Sequence, residues 1–158
     1  MNDQDRMDRI RGLLGERILE MTNPAVRRIF LTLAPQDLVW ALGRLKADMG
    51  YWHLSTISGV DLGDAFEFLY HLTDDLPGSL HVRTRTPKAE ARIPSICSVI
   101  PGAVLYEREV QEMFGVVVEN IPDNRRLLLS DDWPDGQHPL RKDWKHVRPE
   151  EKIPGGKS

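Results

Sequence analysis

Apolar residues recur at helical spacing at the start of the chain. Met7, Ile10, Leu13, Leu14 and Ile18 share one face, with Asp and Arg on the other. This predicts a helix from Asp3 to about Met21. Gly12 and Gly15 weaken it by up to about 1 kcal/mol each, and Asn23-Pro24 ends it. The bulky run Arg27–Leu33 predicts a strand. Pro35 opens a second helix, with Leu38, Leu42, Leu45 and Met49 on one face and Gly50 placed to stop it. Three strand-like stretches follow, Tyr51–Leu62, Phe66–Thr73 and Ser79–Thr86, separated by the turn sequences Asp61-Leu62-Gly63-Asp64 and Asp75-Leu76-Pro77-Gly78. In the last of them Leu80, Val82, Thr84 and Thr86 alternate with His81, Arg83 and Arg85, as in a sheet with one wet face. Pro94–Phe114 reads as helix again, broken at Pro101-Gly102 and capped by Gly115.

The pattern is that of an α+β two-layer domain, a mostly antiparallel sheet packed on helices. Beyond it the character changes. Residues 120–158 hold five of the 11 prolines, Pro122, Pro134, Pro139, Pro149 and Pro154, and regular structure is not expected to persist there. The chain divides into a core domain, 1–119, and an extended Pro-rich C-terminal arm, 120–158. The arm is not composed like a disordered tail, because it carries Leu127, Leu128, Leu129, Trp133, Leu140 and Trp144. Each such side chain gains about 1.5–3 kcal/mol by leaving water. The arm is therefore expected to lie across its own domain or across another protein. Trp and Arg are favoured interface anchors, and Arg125, Arg126, Arg141 and Arg148 beside the tryptophans tilt the reading toward a partner.

Composition narrows the function classes. The chain has 158 residues, 41% hydrophobic and 28% charged, with a net charge of −3. That suits one soluble domain without the basic footprint of a nucleic-acid binder. No apolar run is long enough to span a membrane, and the charged N-terminal stretch does not read as a secretory signal, so a cytoplasmic location is expected. The single cysteine, Cys97, sits in an apolar context and reads as a core residue. One cysteine cannot hold an iron–sulfur cluster. The five histidines show no HxxxH or HExxH spacing, so a metal site would have to be assembled by the fold alone, and His71 and His81 read as ordinary sheet residues. There is no GxGxxG, P-loop or GxSxG. A small independent enzyme using Glu109 or Glu112 with His138 is one alternative, although carboxylates at that spacing on an amphipathic helix usually form a solvated face. A binding module for an unrelated protein is another.

The stretch Pro101–Trp144 carries a specific likeness. Glu107-Arg108-Glu109, Phe114-Gly115, Pro122-Asp123, Arg125-Arg126 and His138-Pro139-Leu140-Arg141-Lys142-Asp143-Trp144 follow one another in order. This series resembles the C-subunit family of respiratory complex I, the proton-pumping NADH:quinone oxidoreductase, and its counterparts in membrane-bound [NiFe] hydrogenases and formate hydrogenlyases. Ile121 stands where many members have His, and the Ser130–Gly136 segment looks closer to the hydrogenase-type members.

The resemblance implies a non-catalytic assembly subunit of the hydrophilic arm, docked on the large hydrogenase-like subunit beside iron–sulfur subunits. It implies no catalytic, cofactor-binding or metal residue in this chain, with iron–sulfur clusters and flavin or nickel–iron in the partner subunits. When assembled, the chain would sit peripherally on the cytoplasmic face of the membrane. The residues implied in partner binding are Glu107, Arg108, Glu109, Arg125, Arg126, His138, Pro139, Leu140, Arg141, Lys142, Asp143 and Trp144. For all of them the alternative is that they knit the arm to its own domain.

Overall fold

The computed structural model describes residues 2–145. Helix α1 (Asp3–Leu14) opens on a capping box: the Asn2 side chain accepts the Asp5 N–H at 2.8 Å, and the Asp5 carboxylate receives the Asn2 N–H. It is shorter than its periodicity suggests. Gly15, at φ 58°, turns the chain out of the helix, and Ile18–Ala25 forms an edge strand, β1, rather than more helix. Ile18 has the helical spacing, but residues 18–25 find ladder partners in strand β2 (Arg28–Leu33), with Met21 opposite Leu31. Pro24 lies in an irregular part of this edge strand, where its missing N–H is tolerated.

Helix α2 (Leu38–Met49) buries Leu38, Ala41, Leu42 and Leu45 and ends at Gly50, in the left-handed conformation. Strands β3 (His53–Asp61), β4 (Ala65–Thr73) and β5 (Ser79–Pro87) form an antiparallel meander. The sheet order is β1-β2-β5-β4-β3, and β2 with β5 is its one parallel pair. A short strand β6 (Arg92–Pro94) pairs in parallel with β7 (Val117–Glu119) on either side of helix α3 (Val104–Phe114). The segment expected to be helical from Pro94 is thus α-helical only from Val104, after a 3-10 turn at Pro101–Ala103. Pro94 ends a strand, and residues 95–100 turn so that Ser95, Ile96 and Cys97 can present polar groups to α3.

The strands alternate as a half-covered sheet requires. Phe66, Phe68, Tyr70 and Leu72 of β4 and Leu80, Val82, Thr84 and Thr86 of β5 face inward, and the apolar ones join one core with Ile10, Leu14, Leu42, Leu45, Val110 and Phe114 from the helices. Glu67, Leu69, His71, His81, Arg83 and Arg85 take the opposite face, as expected from their alternation. Beneath α1, Arg6 is buried against Asp74 at 3.5 Å and reaches the Tyr51 hydroxyl. Residues 120–145 contain no helix or strand. Arg148, Pro149 and Pro154 of the arm lie outside the described residues.

Helix α3 is seated by a hole in the sheet. The Phe114 ring packs edge-on to Phe66 and Phe68, with centroids at 5.6 and 5.8 Å. It fills the space above Gly59 of β3, where a Cβ would lie 2.3 Å from the ring. Gly59→Ala is expected to force the ring aside and destabilise the domain by about 1–3 kcal/mol, measured by urea unfolding.

Candidate functional site

The recognisable residues gather around α3, and each has a distinct job. Glu107 is 0% exposed. Its Oε2 accepts the Ser95 hydroxyl at 2.7 Å and the Cys97 thiol at 3.2 Å, and its Oε1 accepts the Ile96 N–H at 2.6 Å. A buried carboxylate has to be satisfied by donors of this kind. Glu107, expected among the partner-binding residues, therefore pins the 95–97 turn onto α3 and is enclosed within the chain. Burial raises the Cys97 thiol to about 11; the Ser95 bond opposes the shift and Glu107 adds to it.

One turn on, Arg108 and Glu112 hold the arm. The Arg108 guanidinium donates to the carbonyls of Arg125 and Arg126 at 2.7 and 2.6 Å and lies 3.5 Å from Asp123. The Glu112 carboxylate receives three successive backbone N–H groups, those of Leu127, Leu128 and Leu129. Arg125 is exposed and forms a bidentate pair with Asp123, two residues away. That pairing holds Asp123 well below the usual carboxylate range, chiefly through the Arg125 side chain and then its backbone N–H. Arg126 closes the 126–135 loop, donating to the carbonyls of Ser130 and Trp133 and pairing with Asp135 at 2.8 Å.

The His138–Trp144 segment then seals the C-terminal end of α3. The last carbonyls of a helix lack intrahelical donors. Here His138 Nδ1–H donates to the Glu112 carbonyl at 2.8 Å, and the Leu140 N–H to the Met113 carbonyl at 3.1 Å. Arg141 donates to the carbonyls of Phe114 and Gly115, bringing a cation to the negative end of the helix. Gly115 makes this possible: φ is +69°, and a Cβ would sit 2.4 Å from His138 Nε2 and 2.6 Å from an Arg141 nitrogen. Pro139 is half-buried between His138 and Leu140. Trp144 stacks on Trp133 with centroids 6.1 Å apart.

A second tie comes from Asp61 at the end of β3. It accepts the Lys142 N–H at 2.9 Å, the Gly63 N–H and the Lys88 ammonium at 2.8 Å. Lys88 also pairs with Asp143 at 3.3 Å. Desolvation pushes the Asp61 carboxyl up, but the Lys88 ammonium and the two backbone donors outweigh it and hold the group at about 2. Nothing in the local sequence marks Asp61 beyond a turn residue. Its partners are 27 and 81 positions away.

The polar groups of the motif are thus spent largely within the chain, while the apolar ones are not. Leu128 is 58% and Leu140 54% exposed, with Leu127 and, at the start of α3, Leu105 also exposed. Among the described residues the Glu109 side chain makes no hydrogen bond or ion pair, and Glu109 shares the outer face of α3 with Leu105, Arg108 and Glu112 by helical spacing. Among the described residues no hydrogen bond joins the Glu109 or Glu112 carboxylate to the His138 imidazole. The Glu112 carboxylate faces backbone N–H groups, and His138 Nδ1 bonds the main-chain carbonyl of Glu112 instead.

Two outcomes are expected. Glu107→Ala strands the Ile96 N–H and the Ser95 hydroxyl, and should cost about 3 kcal/mol in urea unfolding. Asp61 has a carboxyl near 2 in the folded chain against about 3.9 when unfolded. Its contribution is complete above about pH 4 and is lost as pH falls from there toward 2. Asp61→Asn should flatten the pH dependence of Tm between pH 4 and 2.

Residues 31–150 match the family model described as the respiratory-chain NADH dehydrogenase 30 Kd subunit. The membrane-bound hydrogenase subunit beta of Pyrococcus furiosus is 42% identical over 97 residues, covering 59% of this chain and 56% of that one. The C subunit of the F(420)H(2) dehydrogenase of Methanosarcina mazei is 39% identical, over 63% of this chain and 65% of its own length. These relatives are thus matched over little more than half to two thirds of their length. The C subunit of the NADH-quinone oxidoreductase of Trichlorobacter lovleyi is 36% identical over 91% of both chains. Among solved structures, a chain of the membrane-bound sulfane sulfur reductase, an archaeal respiratory membrane complex, superposes with a TM-score of 0.81 at 26% identity, covering 91% of this chain and 86% of that one. Shared fold, matched length and the clasped motif lead to one conclusion: this chain belongs to the family of the 30 Kd subunit of respiratory-chain NADH dehydrogenase.

Proposed function

We propose that this chain is a non-catalytic subunit of a complex-I-like or membrane-bound hydrogenase-type oxidoreductase, and that its clasped arm docks on the large hydrogenase-like subunit. The observation that carries this reading is the division of labour in the arm. Its backbone is tied to α3 by Arg108 and Glu112, and the same fastening turns Leu127 and Leu128 outward. A stretch held by its polar groups with its leucines in water is pre-ordered to bury them against another surface, which lowers the entropy lost on docking. Leu140 and Leu105 are further exposed leucines of the arm and of α3.

Two relatives support a permanent partner. The Escherichia coli formate hydrogenlyase subunit 5 is 47% identical over 62 residues, which are only 11% of its length. Its hydrogenase-4 component G is 52% identical over 50 residues, 9% of its length. In both, the matched segment is part of a far longer chain. Redox chemistry in such a complex belongs to iron–sulfur, flavin or nickel–iron groups in the other subunits. No helix among the described residues is long and apolar enough to cross a membrane, and contact with the membrane is through the complex.

The test is recovery of the native complex from cells carrying a tagged chain. With the unmodified chain, a large subunit and iron–sulfur subunits are expected in stoichiometric amounts by mass spectrometry. Leu128→Asp should reduce their recovery at least tenfold while leaving the circular dichroism unchanged. Full recovery with that variant would overturn the arm as the docking face.

A further inference from the structure

The open face of the sheet holds a side-chain constellation unrelated to the arm. His71 of β4 and His81 of β5 are directly opposite one another in the antiparallel ladder. Their Nδ1 atoms are 2.6 Å apart, with the ring planes at 75°. Each outer nitrogen has a hydroxyl partner: His71 Nε2 lies 2.8 Å from Ser58 Oγ, and His81 Nε2 lies 2.9 Å from Ser79 Oγ. The His81 ring is further fixed by stacking on Phe30 at 4.6 Å. Strand register, hydroxyls and the aromatic floor together hold the two imidazole nitrogens side by side.

Two bare nitrogen lone pairs repel at that distance, so a positive charge must accompany the contact. A proton lies between them when one ring carries its hydrogen on Nδ1. When both rings carry theirs on Nε2 and donate them to the two serines, both Nδ1 lone pairs are free for a metal ion set to one side of the pair. Hydrogen bonding of the second ring N–H is the usual way a protein orients a metal-ligating histidine. Two metal–nitrogen bonds of about 2.0 Å at a right angle bring the nitrogens to about 2.9 Å, whereas a tetrahedral angle needs about 3.3 Å. The rings must part from 2.6 Å to reach either value, and the smaller opening gives the former. Imidazole donors with adjacent positions favour copper(II) and nickel(II) over zinc.

We propose that His71 and His81 form a bidentate chelate, through their Nδ1 atoms, for a divalent late transition-metal ion, copper(II) or nickel(II) ahead of zinc. Water fills the remaining coordination positions. Arg28 and Arg83 border the site, Arg83 lying over the Phe30 ring at 5.3 Å. Glu20 and Glu67 offset Arg83 at 3.8 and 3.5 Å. The residual positive charge sets a moderate affinity, suited to reversible occupancy. Bound metal ties β4 to β5 and stiffens the middle of the sheet.

Calorimetric titration of the full chain with nickel(II) at pH 7.5 tests the proposal. One saturable equivalent is expected, with Tm raised by roughly 5–10 °C at a hundredfold excess over Kd. His71→Gln and His81→Gln should each weaken binding at least 30-fold. Ser58→Ala and Ser79→Ala should weaken it by about tenfold. His53→Gln, which changes an exposed imidazole outside the pair, should leave it intact. With copper(II), electron paramagnetic resonance of the unmodified chain should show two equatorial imidazole nitrogens, a readout independent of how the variants fold. Absence of a saturable equivalent, a single coordinated imidazole, or equal binding by the His81→Gln chain would overturn the chelate.

Discussion

The far end of helix α3 sets the terms for the rest of the molecule. A helix leaves its last carbonyls without donors, and burying them unsatisfied costs free energy comparable to lost hydrogen bonds. This chain meets that need from far along its own sequence. The imidazole of His138, the amide of Leu140 and the guanidinium of Arg141 reach back to Glu112, Met113, Phe114 and Gly115. Once that contact is made, the path of the segment between is nearly determined. It must pass the Arg108 and Glu112 side chains, and those side chains fasten its carbonyl and amide groups in turn.

The same constraint explains why a segment with so many prolines can be ordered without regular structure. Proline removes N–H donors, but the groups that matter here are carbonyls bound by arginine and a run of amides at Leu127–Leu129 that holds no proline. Polar atoms turn inward toward α3 and leucine side chains outward. This reverses the usual orientation of a strap over a core, where apolar side chains face in, and it leaves Leu127 and Leu128 exposed.

Much of the fold is legible from periodicity because the buried faces are clean. Leu38, Leu42 and Leu45 mark α2, and the alternation in β5 marks which face is wet. Periodicity overextends the first helix because Ile18 continues the helical spacing, while the event that ends the helix is the backbone turn at Gly15. The motif around α3 is legible as a motif, but its division into inward and outward residues is not. Glu107 and Glu109 are two positions apart and equally acidic, yet one is wholly enclosed and the other half-exposed. Asp61, Gly59 and the His71–His81 pair give no local signal, since each acquires its meaning from a partner brought by strand register or by the arm.

The cavity over β3 has an evolutionary corollary. Strand and helix share one fixed volume there, and at present the helix takes all of it through the benzyl group of Phe114, leaving hydrogen alone for residue 59. Any lineage that enlarges one occupant must shrink the other. Positions 59 and 114 should therefore drift as a coupled pair across related chains, small against aromatic or larger against aliphatic, while their neighbours change independently.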